Sequence, residues 1–196
     1  MVFRPLLAAL CNRRHMAMNE KFQELSKLGA GDFDHIDGNL IDHLRGTQKL
    51  LKKWSASAIL QDAGLYHAAY GTAGFDEILV SIEQRDKISQ IIGSKAEDIV
   101  YLYCACDRDH FWPQIGIVSE PQFKNRFTGQ LLKLSSQQLQ DFCELTVANE
   151  IEIAMDNPSF IKQYGQSLYS IFKNMNSYIS KPARISVEKV LGCSNA

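Results

Sequence analysis

DHLRGTQKLLKKWSASAILQDAGLYHAAYGT, residues 42–72, is the stretch that decides how this chain is read. Leu40, His43, Thr47, Leu50, Leu51 and Trp54 recur at helical spacing, which puts His43 on the buried stripe of one helix. Leu60, Ala63, His67 and Tyr70 repeat the pattern and turn a second imidazole inward. Farther on, Ile99, Tyr103 and Asp107 form a third stripe within AEDIVYLYCACDRDHF, residues 96–111, so that a carboxylate sits on an otherwise apolar face and needs a partner. Two imidazoles and one carboxylate from three helices are a ligand set for a divalent metal in a helical bundle. The competing reading makes His43 and His67 core residues bonded to backbone carbonyls, and Asp107 a cap or an ion-pair partner of Arg108.

Composition narrows the classes around that stretch. With 196 residues, 45% hydrophobic and 22% charged, the chain is long enough to bury a sizeable core and is not of a disordered type. A net charge of −1 argues against a strongly electrostatic nucleic-acid or membrane binder. Five cysteines without a CxxC pair fit a reducing compartment and buried, inert thiols, hence a cytoplasmic protein. The basic, acid-poor residues 1–18 point to a loosely ordered extension, with a mitochondrial or other organellar targeting segment as the alternative. One helical domain is expected over 19–196.

The remaining elements follow from periodicity and punctuation. A first helix is expected over Asn19–Leu28, ended by Gly29 and Gly31, and one or two helices from Phe75 to Ile91. Ser94-Lys95-Ala96-Glu97 reads as a capping box opening a helix that ends near Arg108. Arg108 at that terminus is placed to meet phosphate or to hold Asp107. Residues 114–134 alternate around Thr128-Gly129 and predict a small hairpin, a lid or pocket edge on which Arg126 becomes a candidate substrate contact. The next helix opens at Ser135 and carries Leu139, Phe142, Thr146, Asn149 and Ile153 inward. Asn149 is a polar residue on that stripe and a candidate substrate contact; bonding to the backbone of a neighbouring helix is its bland role. Glu150 lies one step round. A helix from Ser159 to about Ile179 and a short last helix after Lys181-Pro182 complete an all-α bundle of seven or eight helices with one small β hairpin. No glycine-rich phosphate loop, nucleophile elbow or internal repeat is present.

The order of His43, then Ala63-Gly64-Leu65-Tyr66-His67, then Cys106-Asp107-Arg108-Asp109-His110 resembles the HD-domain superfamily over residues 35–112, nearest to its alarmone (guanosine bispyrophosphate) hydrolase branch. The phrases DHLRGT and HAAYGT also resemble a group of proteins to which no activity is attached. The first resemblance implies an HD-like fold with a divalent metal, manganese, iron, magnesium or zinc, held by His43, His67 and Asp107. It further implies pocket residues at Tyr70 and Thr72, and His35 as a fourth ligand or catalytic contact on the approach to the first ligand helix. One departure stands out: Ala68 occupies the position of the motif aspartate.

Metal-dependent hydrolysis of a phosphate ester, with a nucleotide as the leading small-molecule substrate and Arg108 taking developing charge, is the expected function. Two rivals belong to other classes. Two histidines and a carboxylate also serve mononuclear iron oxygenases, and oxygenases of the myo-inositol oxygenase kind use an HD-like body. A metal-free binding module would keep the fold and use the old site as a pocket. In a metal site, Glu77, His35 and Glu150 are the candidates to compensate for Ala68.

Overall fold

Where the hydrogen-bonding needs of each helix end are met decides the element boundaries. The computed structural model describes residues 20–31, 34–35, 38–75 and 77–192, without the side chains of 34, 35 and 38. The expected N-terminal extension lies outside these residues. Helix α1 covers 20–27. A two-residue ribbon, β1 (Asp34–His35) against β2 (Gly38–Asn39), leads into α2 (Leu40–Lys53). Asn39 caps α2 by accepting from the Asp42 amide at 3.1 Å, and Lys52 and Lys53 complement the helix dipole at its other end. Helix α3 (Ala58–Tyr66) follows, capped by Ser57, and then α4 (Arg85–Ile92), α5 (Ser94–Ala105) and the one-turn α6 (Arg108–Phe111). The expected hairpin is β3 (Gln122–Lys124) against β4 (Leu131–Lys133), with Phe123 opposite Leu132. Helices α7 (Ser136–Met155), α8 (Pro158–Asn174) and α9 (Lys181–Leu191) close the described chain. The protein is mostly α with a small β hairpin.

Several boundaries differ from the sequence reading. Residues 75–81 are not helical, and only a 3-10 turn at Ile82–Gln84 precedes α4. Ser94 is not a cap: Gly93, at φ 87°, ends α4 and begins α5 without any side-chain bond. Helix α5 stops at Ala105 rather than near Arg108 because the hairpin takes over its backbone. Cys106 bridges to Asn125, and the Asp107 amide donates to the Lys124 carbonyl at 3.0 Å. That interruption splits off α6, so nine α-helices are found among the described residues, besides two 3-10 turns, where seven or eight helices were expected. Helix α8 ends at Asn174, and Pro182 opens α9 instead of ending its predecessor.

Helix α7 is the axis of the molecule. Its capping box, Ser135 with Gln138, fixes its start, and from Phe142 to Ile151 every side chain is buried. It packs against α2, α3, α5, α8 and α9. Glu144 ties α9 to it by accepting from the Ser180 hydroxyl at 2.7 Å and amide at 2.8 Å. Phe142 lies at the centre of an aromatic cluster, with ring centroids 5.4 Å from Phe111, 6.3 Å from Phe123 and 5.9 Å from Tyr103. The hairpin and α6 are therefore fastened to α7 through one ring. Phe142→Ala should cost about 3–5 kcal/mol in urea unfolding, with the midpoint lowered and the slope kept. A loss below about 1 kcal/mol would mean that the cluster does not hold the hairpin.

Candidate functional site

His43 is on the second turn of α2, and His67 is the residue that ends α3. Two glycines let them meet. At Gly64 a side chain would run into Leu51 of α2, so the bare backbone is what allows α3 to lie close to α2. The Gly64 carbonyl then accepts from Nδ1 of His67 at 2.8 Å, which turns the opposite edge of the ring toward α2. At Gly46, one turn beyond His43, the space of a missing Cβ is filled by the Glu152 carboxylate of α7. From there Glu152 accepts from Nδ1 of His43.

With both Nδ1 atoms donating outward, both Nε2 atoms face each other at 3.3 Å, and the amide oxygen of Asn149 lies 3.0 Å from Nε2 of His43. Asn149 is held in that sense because its amide nitrogen donates to Glu150 at 3.0 Å. Three acceptor atoms from α2, α7 and the end of α3 thus converge. A cation among them, either a proton on one Nε2 or a metal ion, relieves their mutual repulsion.

Arg108 stands beside this group. It donates to the Tyr103 hydroxyl at 3.0 Å, lies 3.5 Å from Glu150, and is flanked by the rings of Tyr103 and Trp112. Tyr103 packs edge-on against His67, with centroids 5.4 Å apart. Burial pushes the Glu150 carboxyl above the ordinary carboxylate range, with Arg108 and Asn149 pulling the other way. Burial works against the Arg108 charge, but Tyr103 and Glu150 outweigh it and hold the guanidinium protonated.

The histidines, Asn149, Glu150 and Arg108 line a cavity of about 490 Å³. Thr72 and Ala68 lie on its wall. Thr72 accepts from the Gly74 amide at 3.3 Å, and Gly71 before it has φ 70°, as the tight exit required. The sequence reading named neither Glu152 nor the glycines as site residues. The available signal was spacing: Glu152 stands one turn from Asn149, and Gly46 one turn from His43.

Three expected site residues are elsewhere or engaged elsewhere. Asp107 does not ride a helix toward the histidines. It caps α6, accepting from the His110 amide at 3.2 Å, and pairs with Lys124 at 2.9 Å, because the hairpin pulls this segment out of α5. Its residue borders the cavity, but its carboxylate is committed to Lys124. Tyr70 is fully buried and donates to Glu97 at 2.9 Å, inside a cluster closed by Arg85 rather than on the cavity wall. Arg126 does not reach the cavity either. It donates to the Cys104 carbonyl at 2.7 Å and covers the Phe127 ring, bracing the hairpin on α5. The His35 backbone pairs with Gly38, and the expectation for its side chain lies outside what is described. Glu77 is exposed and is not among the residues that line the cavity. Burial pushes the thiols of Cys104 and Cys106 up to about 12, in line with inert cysteines.

A family described as "Domain of unknown function (DUF6817)" matches residues 24–108. The chain is similar to it across both histidines and up to Arg108, whereas Asn149, Glu150 and Glu152 lie beyond the match. No curated protein and no solved structure matches the chain.

As a test of the Asp107 assignment, the Lys124 ammonium holds this carboxyl below its usual range. Stability from a depressed pKa is present above the unfolded value, about 3.9, and is lost as pH falls through the folded one. Asp107→Asn should therefore flatten the decline of stability below about pH 4 while leaving ligand binding in the cavity unchanged. Loss of metal or ligand binding at neutral pH would instead put the Asp107 carboxylate in the site.

Proposed function

We propose that the protein is a metal-dependent hydrolase of a small phosphate ester, with the metal held by His43, His67 and Asn149. The observation that carries this reading is the convergence of the two Nε2 atoms and the Asn149 oxygen, with both Nδ1 atoms donating outward. Histidine ligands are commonly held in this way, the far nitrogen bonded to a carboxylate or carbonyl. The ligand set implied by the HD-domain resemblance is met only in part. Ala68 offers no donor atom, Asp107 is bound to Lys124, and among the described residues no three His, Cys, Asp or Glu side chains could hold a metal. The amide oxygen of Asn149 is the third donor. Two imidazoles suit zinc or iron better than magnesium.

When bound, a divalent metal supplies Lewis acidity toward a phosphoryl oxygen and makes water more acidic. The chain's own residues supply the rest. Arg108, rigid between two rings, holds an anionic oxygen. Glu150, whose burial favours the protonated form, delivers a proton to the leaving oxygen. Glu152 keeps the Nε2 edge of His43 turned to the site and compensates its positive character. The iron oxygenase alternative wants a carboxylate beside the two histidines, which supports it less well than hydrolysis.

A second reading, binding without turnover, is favoured by Ala68 on the cavity wall and by the Asp107–Lys124 pair. Calorimetric titration with zinc and with manganese, followed by turnover of p-nitrophenyl phosphate, separates the two. Stoichiometric binding that raises the melting temperature and disappears in His43→Ala and His67→Ala is expected. Glu152→Gln and Gly46→Ala should each weaken metal affinity about 10–100-fold, because the first removes the negative charge behind Nδ1 of His43 and the second displaces the Glu152 carboxylate from it. Equal metal-induced stabilisation of wild type and His43→Ala would remove the site. Metal binding without turnover would leave the second reading.

A further inference from the structure

The walls of the cavity say what kind of molecule it holds. Among the described lining residues there is one guanidinium, Arg108, against three carboxyls, Asp107, Asp109 and Glu150. Arg108 is already shared with Glu150, and Asp109 is exposed. A polyphosphate entering past Asp109 would meet like charge and find a single partner.

The other part of the wall is apolar and is organised by one helix. Phe160, Tyr164, Leu168 and Ile171 recur along α8 at steps that place them on a single face, and all four line the cavity. The Phe160 and Tyr164 rings contact each other at 5.1 Å between centroids. On α7 the same change occurs within one turn, from Asn149 and Glu150 to Ile153. Phe75 and Trp112 add two more rings. The cavity thus has a polar part that can grip one anionic head and an apolar part of aromatic and branched side chains. A volume of about 490 Å³ fits one compact organic molecule.

We infer that the substrate of the proposed hydrolase is an aryl or alkyl monoester, one anionic head on an apolar body, and not a nucleoside di- or triphosphate. This rests on the reading of the histidine pair as a metal site, which fixes the end that receives the head. The α8 face then selects the body, since burying an aryl group against Phe160, Leu168 and Ile171 adds affinity that a bare phosphate lacks.

The test is calorimetric titration of the intact protein, metal-loaded and metal-stripped, with 1-naphthyl phosphate, inorganic phosphate, guanosine 5′-monophosphate and guanosine 5′-triphosphate. On the loaded protein, 1-naphthyl phosphate should bind about tenfold or more tighter than each of the others, the affinity that burial of one aromatic ring system brings. Tyr164→Ala, at a position 45% exposed and with no charge introduced, should fold normally and lower the affinity for 1-naphthyl phosphate more than that for inorganic phosphate. Triphosphate binding as tight as 1-naphthyl phosphate, or no gain of 1-naphthyl phosphate over inorganic phosphate, would overturn the inference even if metal binding stands. The same naphthyl preference in stripped protein and in His43→Ala would uphold the ligand class and contradict the metal reading instead.

Discussion

Two outward hydrogen bonds govern this site. Nδ1 of His67 donates to the carbonyl of Gly64, and Nδ1 of His43 donates to Glu152. Each bond fixes a ring orientation and leaves an Nε2 lone pair pointing inward. The price is electrostatic: the two Nε2 atoms lie 3.3 Å apart and the Asn149 oxygen lies 3.0 Å from that of His43, an arrangement that a cation stabilises. The proposed chemistry rests on that requirement more directly than on any single side chain.

The rest of the fold serves to hold those bonds. Gly64 lets α3 approach α2, and Gly46 clears the space that Glu152 occupies, so both contacts depend on missing side chains. Helix α7 supplies Asn149, Glu150 and Glu152 within a single turn and is itself locked by packing on five other helices. The Phe142 cluster anchors the hairpin to α7, and the hairpin in turn determines where α5 ends and which way Asp107 faces. A β element far from the histidines therefore sets the composition of the site.

Much of this was legible in the sequence. Helical spacing identified the inward faces of His43 and His67, and the cap at Ser135 and the turn at Thr128-Gly129 were read from local chemistry. Asn149 was named for its place on the inner stripe of α7, and it lies with the pair. What failed did so for tertiary reasons. Periodicity carried α5 through Asp107, but backbone pairing with residues 124 and 125 broke the helix first. The HD-domain resemblance points to Tyr70, and the place on a hairpin that could edge a pocket points to Arg126. Their partners, Glu97 and the Cys104 carbonyl, come from a helix whose position no local pattern specifies. Glu152 escaped notice because a carboxylate in mid-helix reads as solvated, and only the void over Gly46 gives it a way to His43. The apolar face of α8 borders the cavity over part of its length, which helical spacing alone does not signal.

The central claim is that both histidines carry their proton on Nδ1 and present Nε2 to a cation. Long-range proton–nitrogen correlation spectra of histidine-labelled protein read this directly, because protonated, unprotonated and metal-bound ring nitrogens differ in shift. The account predicts Nδ1 protonated in both rings, with both Nε2 resonances moving to the metal-bound position on addition of one equivalent of zinc. An Nδ1 without its proton in either ring, or Nε2 shifts that do not respond to zinc in either ring, would contradict it.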